Sequence, residues 1–281
     1  MSTTYSFLPS PDGAGEVGPL VARSYMSPTY LGSAALFAKK AFEIENRPEV
    51  LARGMGVVER PEHQACASAA ILMSALSVEA FINELFADCA ATGANNLFGL
   101  KETQANTLGQ VWQKRARKRS WNGSTKRSRL QRRSKTQRPP QHLTEVVDLE
   151  PLGAVEKYNA ALKLLFGDGL DHKDDIVKAM RTLVELRNSL AHYNLAYRQL
   201  DSAGEPIERL GLDQDLGARL PGLGPMTASD GALIADQVLV HAVAEWSVQT
   251  ALGFIVHFGA ALGVEPQFGS LWPIKALHET R

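Results

Sequence analysis

Residues 65–91 read ACASAAILMSALSVEAFINELFADCAA, and the fold class turns on this stretch. It holds no proline or glycine, and its larger apolar residues recur at spacings of three and four instead of two. That period lines one side of a helix, whereas a half-buried strand would alternate. A helix is therefore expected from near Pro61, a residue suited to a first turn, to about Thr92, with Gly93 ending it.

Working outward, the same spacing predicts helices over Leu31–Ala52 and Leu97–Trp112, from about Leu152 or Ala154 to Phe166, and over Asp171–Asn194. A last helix is expected from a cap at Ser229 or Asp230 to Gly263. Alternating β-branched runs are few, so the expected fold class is all-α, a helical bundle. Residues 1–24 read as an N-terminal tail and 25–281 as a single helical domain. Two interruptions are expected within it: a mobile basic insertion at 111–141 and a loop at 201–228 holding five glycines and three prolines.

Composition narrows the function classes. The 281 residues are 44% hydrophobic, which excludes a disordered chain, and 30 basic residues balance 30 acidic ones. The balance is a sum of opposites, because twelve Lys or Arg and no acid lie between Lys114 and Arg138. Cys66 and Cys89 form no CxxC pair, so both are expected as thiols in a reducing compartment. The opening MSTTYSFLPSPDGAGEVG lacks a basic segment followed by an apolar one, and a cytoplasmic location is expected. Trp246 to Val264 carries no formal charge over 19 residues, about the length of a membrane span. Its Gln249 and His257, and its lack of flanking Lys or Arg, favour a buried or dimer-forming helix, so no membrane is expected.

The chemistry concentrates in 174–194, DDIVKAMRTLVELRNSLAHYN. Ile176, Met180, Leu183, Leu190 and Asn194 define one stripe, and Arg187 falls on it. An arginine among core positions keeps its charge and must meet a carboxylate, carbonyls or a wet cleft. Arg181, Glu185, Asn188 and His192 form a neighbouring stripe. On the 65–91 helix, Glu79 and Asn83 continue a stripe begun by Leu72 and Leu76. One contact, Glu79 with Arg187, would account for two charged anomalies, and both Glu79 and Asn83 read more naturally as supporting than as substrate-touching residues.

An Arg, a polar residue, three more positions and a His near a helix end, preceded by a helix of the EAFINEL type, resembles the HEPN (higher eukaryote and prokaryote nucleotide-binding) superfamily. The resemblance covers about residues 61–194 and rests on Arg187-Asn188-Ser189-Leu190-Ala191-His192. It implies a metal-independent endoribonuclease, of the toxin or antiviral-defence kind, acting as a homodimer whose paired motifs meet in one cleft. It assigns Arg187, Asn188 and His192 to catalysis, with RNA as substrate, no cofactor, and an antitoxin or defence protein as a further partner. His can move protons near neutral pH and Arg offers a fixed cation for phosphoryl oxygens, so the residue types suit the chemistry. A competing reading stays open: Arg and His near a helix C-terminus also complement the macrodipole, as in a non-catalytic interaction module or regulatory subunit.

The basic tract supplies a second candidate surface, with Arg115, Arg117, Lys118, Arg119, Lys126, Arg127, Arg129, Arg132 and Arg133 expected to attract nucleic acid and Trp112 and Trp121 able to stack on bases. A nuclear-localisation-like patch and a plain solvated linker are the alternatives. His241 with Glu245, and His63 with Cys66, lack a third ligand at usable spacing, so no metal site is expected. GxxxxGK[ST], GxGxxG and GxSxG motifs are absent.

Overall fold

The structure is a computed structural model and describes residues 3–7, 20–93, 96–124, 149, 152–191, 219–220, 238–264 and 279–281. The described residues are mostly helical, as expected from the periodicity of the sequence. Its long helices are α1 (Ser27–Glu45), α3 (Glu59–Thr92), α4 (Glu102–Ser124), α5 (Ala154–Phe166), α6 (Asp175–Ala191) and α7 (His241–Leu262), with a short α2 (Pro48–Arg53) between the first two. Residues 1–24, expected as a tail, contain an antiparallel ribbon of β1 (Thr3–Phe7) and β2 (Leu20–Ser24), with Thr3 opposite Ser24 and Phe7 opposite Leu20.

Three helix boundaries differ from the sequence expectation for identifiable reasons. The helix drawn over Leu31–Ala52 stops at Glu45, because Pro48 pushes Arg47 into an extended conformation (φ −61°, ψ 134°) before α2 begins. The helix drawn to Trp112 continues to Ser124, through the first part of the expected mobile insertion. Lys, Arg, Gln and Ala are good helix formers, and no glycine intervenes from Val111 to Asn122. The last helix starts at His241 after an extended Val240; the expected caps Ser229 and Asp230, and the 201–228 loop apart from Arg219 and Leu220, lie outside the described residues. Its other end follows expectation: Gly263 adopts φ 68°, and the Gly263 and Val264 amides close the last turn on Ala260 and Gly259.

By packing, the chain divides into two compact units, Met1–Phe81 with Asp171–Arg281, and Ile82–Leu170, where the sequence predicts one domain. In the first unit α7 packs against α1 and α6. A side chain at Gly253 of α7 would come within 3.2 Å of Ile176 Cδ1, which shows how close α6 lies. Ala41 and Ile44 of α1 pack with Cys66 of α3. Buried Ser74, Ser77 and Ser247 donate to carbonyls three or four residues earlier in their own helices, so these hydroxyls sit among apolar groups without an unmet bond. α7 buries thirteen residues, including Phe254 and Phe258, which makes the uncharged stretch at 246–264 a core helix. Among the described residues α3 is the one helix long and apolar enough to cross a membrane, and over half of that window is buried.

In the second unit α4 packs against α5. Tyr158, Leu85, Phe86 and Leu108 are fully buried there, and the Trp112 ring lies nearly parallel to Phe86 at 6.2 Å between centroids.

Candidate functional site

The last turn of α6 carries Arg187 and Asn188. Arg187 donates from Nη2 to Glu79 Oε2 at 2.9 Å, and from Nη1 to Asn188 Oδ1 at 2.8 Å. The expected compensation of Arg187 by Glu79 is therefore present, joining residues 108 positions apart.

The setting differs from the expected one. The buried line of α6 is Val177, Met180, Leu183 and Leu186, each at most 1% exposed; Met180 and Leu183 of the expected stripe belong to it, whereas Ile176, Arg187 and Leu190 are only half-buried at its edge and Asn194 lies outside the described residues. The same offset occurs on α3. Ile71, Val78, Ile82 and Leu85 are fully buried, whereas Leu72, Leu76, Glu79 and Asn83 are intermediate. Two adjacent registers of one helix both look apolar in a sequence rich in Ala and Leu, and only the packing partner selects one. The consequence is an ion pair with side chains 27% (Arg187) and 38% (Glu79) exposed, within reach of solvent and of a solute.

What this cluster can do follows from its donors. A guanidinium has more N–H groups than the two bonds to Glu79 and Asn188 use, and its plane is held by them on two sides. A phosphate oxygen can be received by the remaining donors with little reorientation. His192, the residue expected to move protons, lies outside the described residues. Asn83 belongs to the other unit and accepts a hydrogen bond from Lys157 Nζ at 3.1 Å. On the neighbouring stripe Arg181 donates to His172 Nδ1 at 3.3 Å, and Glu185 pairs with Arg219 at 2.7 Å.

Of the basic tract, Arg115, Arg117, Lys118 and Arg119 fall on the helical backbone of α4, while Lys126, Arg127, Arg129, Arg132 and Arg133 lie outside the described residues. Trp112, expected as a base-stacking candidate, is instead committed to Phe86.

The dismissed metal candidates take part in a polar network that the sequence did not reveal. Glu45, at the end of α1, receives the His63 Nε2–H at 2.7 Å and the His241 backbone N–H at 2.9 Å. His241 Nε2 donates to Thr280 O at 3.0 Å, its ring is tilted against Phe42, and Glu245 accepts from Thr280 and Arg281. Burial raises the Glu45 carboxyl, but the bonds from His63 and His241 outweigh it and hold the net value below the ordinary glutamate range. The Arg281 guanidinium, ahead of burial and Thr280, leaves Glu245 similarly low. A carboxylate ending a helix and two histidines some 20 and 200 positions away carry no local spacing signal, so only the fold could bring them together. Among the described residues no group of three His, Cys, Asp or Glu is placed to hold a metal ion. Cys66 and Cys89 are free, buried thiols.

No protein-family model, curated protein or solved structure matches this chain.

Proposed function

We propose that this chain is a HEPN-like, metal-independent endoribonuclease, acting in the cytoplasm as a homodimer with a toxin or antiviral-defence role. The observation that carries the reading is Arg187, a permanent cation held at the solvent edge of the bundle by Glu79 and Asn188 in the helix that leads into His192. In the proposed reaction the RNA 2′-oxygen attacks phosphorus, the bond to the 5′-oxygen breaks, and a 2′,3′-cyclic phosphate forms. One proton leaves the 2′-OH and one reaches the departing 5′-oxygen; His192 carries one of these transfers while Arg187 offsets charge on the phosphoryl oxygens. Asn188 positions Arg187.

A second reading has its own support. Glu79 alone neutralises Arg187, which is what an interaction module holding its helices together requires, with no substrate. Such a module would serve as a regulatory subunit beside an antitoxin or defence partner.

The test is cleavage of mixed cellular RNA in EDTA by wild type and His192→Ala, with helical content checked in both. Cleavage by wild type alone, leaving cyclic-phosphate ends, is the expected outcome. Equal cleavage by both points to another site or a contaminant, and no cleavage by either favours the interaction module.

A further inference from the structure

His241 and Glu245 stand at i and i+4, so their side chains share one face of the first turns of α7. Thr280 and Arg281 occupy that face. His241 Nε2 donates to Thr280 O at 3.0 Å, and Thr280 Oγ1 donates to Glu245 Oε1 at 2.7 Å. Arg281 donates to both carboxylate oxygens of Glu245, from Nε to Oε1 at 3.0 Å and from Nη2 to Oε2 at 2.8 Å. A backbone carbonyl, a hydroxyl and a guanidinium fork each meet a complementary atom from one of two side chains on a single helix. Thr280 and His241 are buried, so this polar fit excludes water.

Other elements hold the notch from behind. The His241 N–H is bonded to Glu45 Oε1 of α1, which also receives His63 of α3, and the His241 ring is tilted against Phe42 at 4.9 Å between centroids. The Ala244 amide closes the first turn on Val240 O. None of these contacts uses residues 279–281. The occupant is held differently. Its Arg281 side chain is 68% exposed and Glu245 13%, so a shielded carboxylate is closed by a cation that stands in solvent. Residues 279–281 read Glu-Thr-Arg and add no large apolar side chain, so hydrogen bonds and a salt-sensitive charge pair hold them, with little hydrophobic area. Such a contact is specific in geometry yet opens at lower cost than the packing of α1 on α7 beneath it.

We infer that Thr280 and Arg281 form a detachable latch on the start of α7: they release as a local opening that leaves the helices packed, and the vacated notch takes a peptide carrying a hydroxyl residue followed by arginine. The chemistry of the notch sets that class. Glu245 accepts one hydroxyl and a two-pronged guanidinium, and His241 supplies a donor for the carbonyl between them. An acidic peptide would bring its charge against Glu245, and lysine lacks the fork that engages both oxygens. The inference is independent of Arg187 and of any nuclease activity.

The test has two arms. In the first, amide hydrogen exchange of the full chain is followed over residues 241–246 and over the middle of α7 in rising, sub-denaturing urea. Exchange at 241–246 should be nearly insensitive to urea, because a local opening exposes little surface, while the middle of α7 accelerates. Arg281→Gln should speed exchange at 241–246 about tenfold, and about 1 M salt should narrow that difference. Urea dependence at 241–246 equal to that of the middle of α7 shows a contact that opens only with the fold and overturns the latch, as does an Arg281→Gln protein that exchanges like wild type. In the second arm, a labelled peptide of residues 275–281, KALHETR, is titrated into wild type and into the chain lacking residues 280–281. It should bind the shortened chain at least about tenfold more tightly, since the attached latch competes in wild type at high effective concentration. Glu245→Gln in the shortened chain, or Arg281→Gln in the peptide, should abolish binding. A folded shortened chain that takes no peptide, or takes it regardless of Glu245→Gln, overturns the inference. A shortened chain that fails to fold makes residues 280–281 part of the core and overturns it as well.

Discussion

Replacing Glu79 by Gln keeps the shape of the side chain and removes the charge that faces Arg187 across 2.9 Å. With an effective dielectric near 20, the bare attraction at this distance is about 6 kcal/mol. Most of it is not available to stability. The side chains are 38% and 27% exposed, so water and salt screen them, while holding both in one geometry costs side-chain entropy. A net loss of about 1 kcal/mol is expected, well below the 3 to 5 kcal/mol of a fully buried broken pair. For a chain of this size that lowers the melting temperature by about 2–4 °C. The assay is a double-mutant cycle in urea with Glu79→Gln, Arg187→Gln and the double variant, at low salt and at 1 M salt. A coupling near 1 kcal/mol that shrinks in high salt is expected. A coupling above about 3 kcal/mol that ignores salt would refute the half-exposed placement, and no coupling at low salt would refute the contact.

Gly109→Val places methyl groups against the Ala90 and Cys89 backbone, which cannot yield as a side chain tip would; a loss of about 2 kcal/mol or more is expected in urea unfolding, with α4 helicity reduced. Glu45 has a folded value below its unfolded one, so its contribution is present above the ordinary glutamate pKa of about 4.3 and is lost as pH falls through the lower folded value. Urea midpoints of wild type should therefore fall more steeply in that acid window than those of Glu45→Gln, and parallel curves would show that the His63 and His241 bonds are not made. Burial pushes the Cys89 thiol up to about 12 and raises Cys66 as well, so neither should react with a disulfide reagent at pH 8 until the protein is unfolded. Rapid native labelling of Cys89 would contradict its placement.

Local properties of the chain were legible without a structure. The three- and four-residue spacing of 65–91 determined a helix there, and proline-free, Ala- and Leu-rich composition did the same for α5, whose observed span is Ala154–Phe166. The Glu79–Arg187 pair was legible too, since each is a charge on an apolar-looking stripe and one contact answers both. The short range of these signals sets their limit. Which of two adjacent apolar registers turns inward is decided by the surface that packs against the helix, and it moved Arg187 from a core position to the edge. The convergence of Glu45, His63 and His241 joins the end of α1 to α3 and the start of α7, a relation with no sequence period. The basic tract shows both sides at once. Its charge was fully determined by composition, but the continuation of α4 through its first part to Ser124 is a property of the fold.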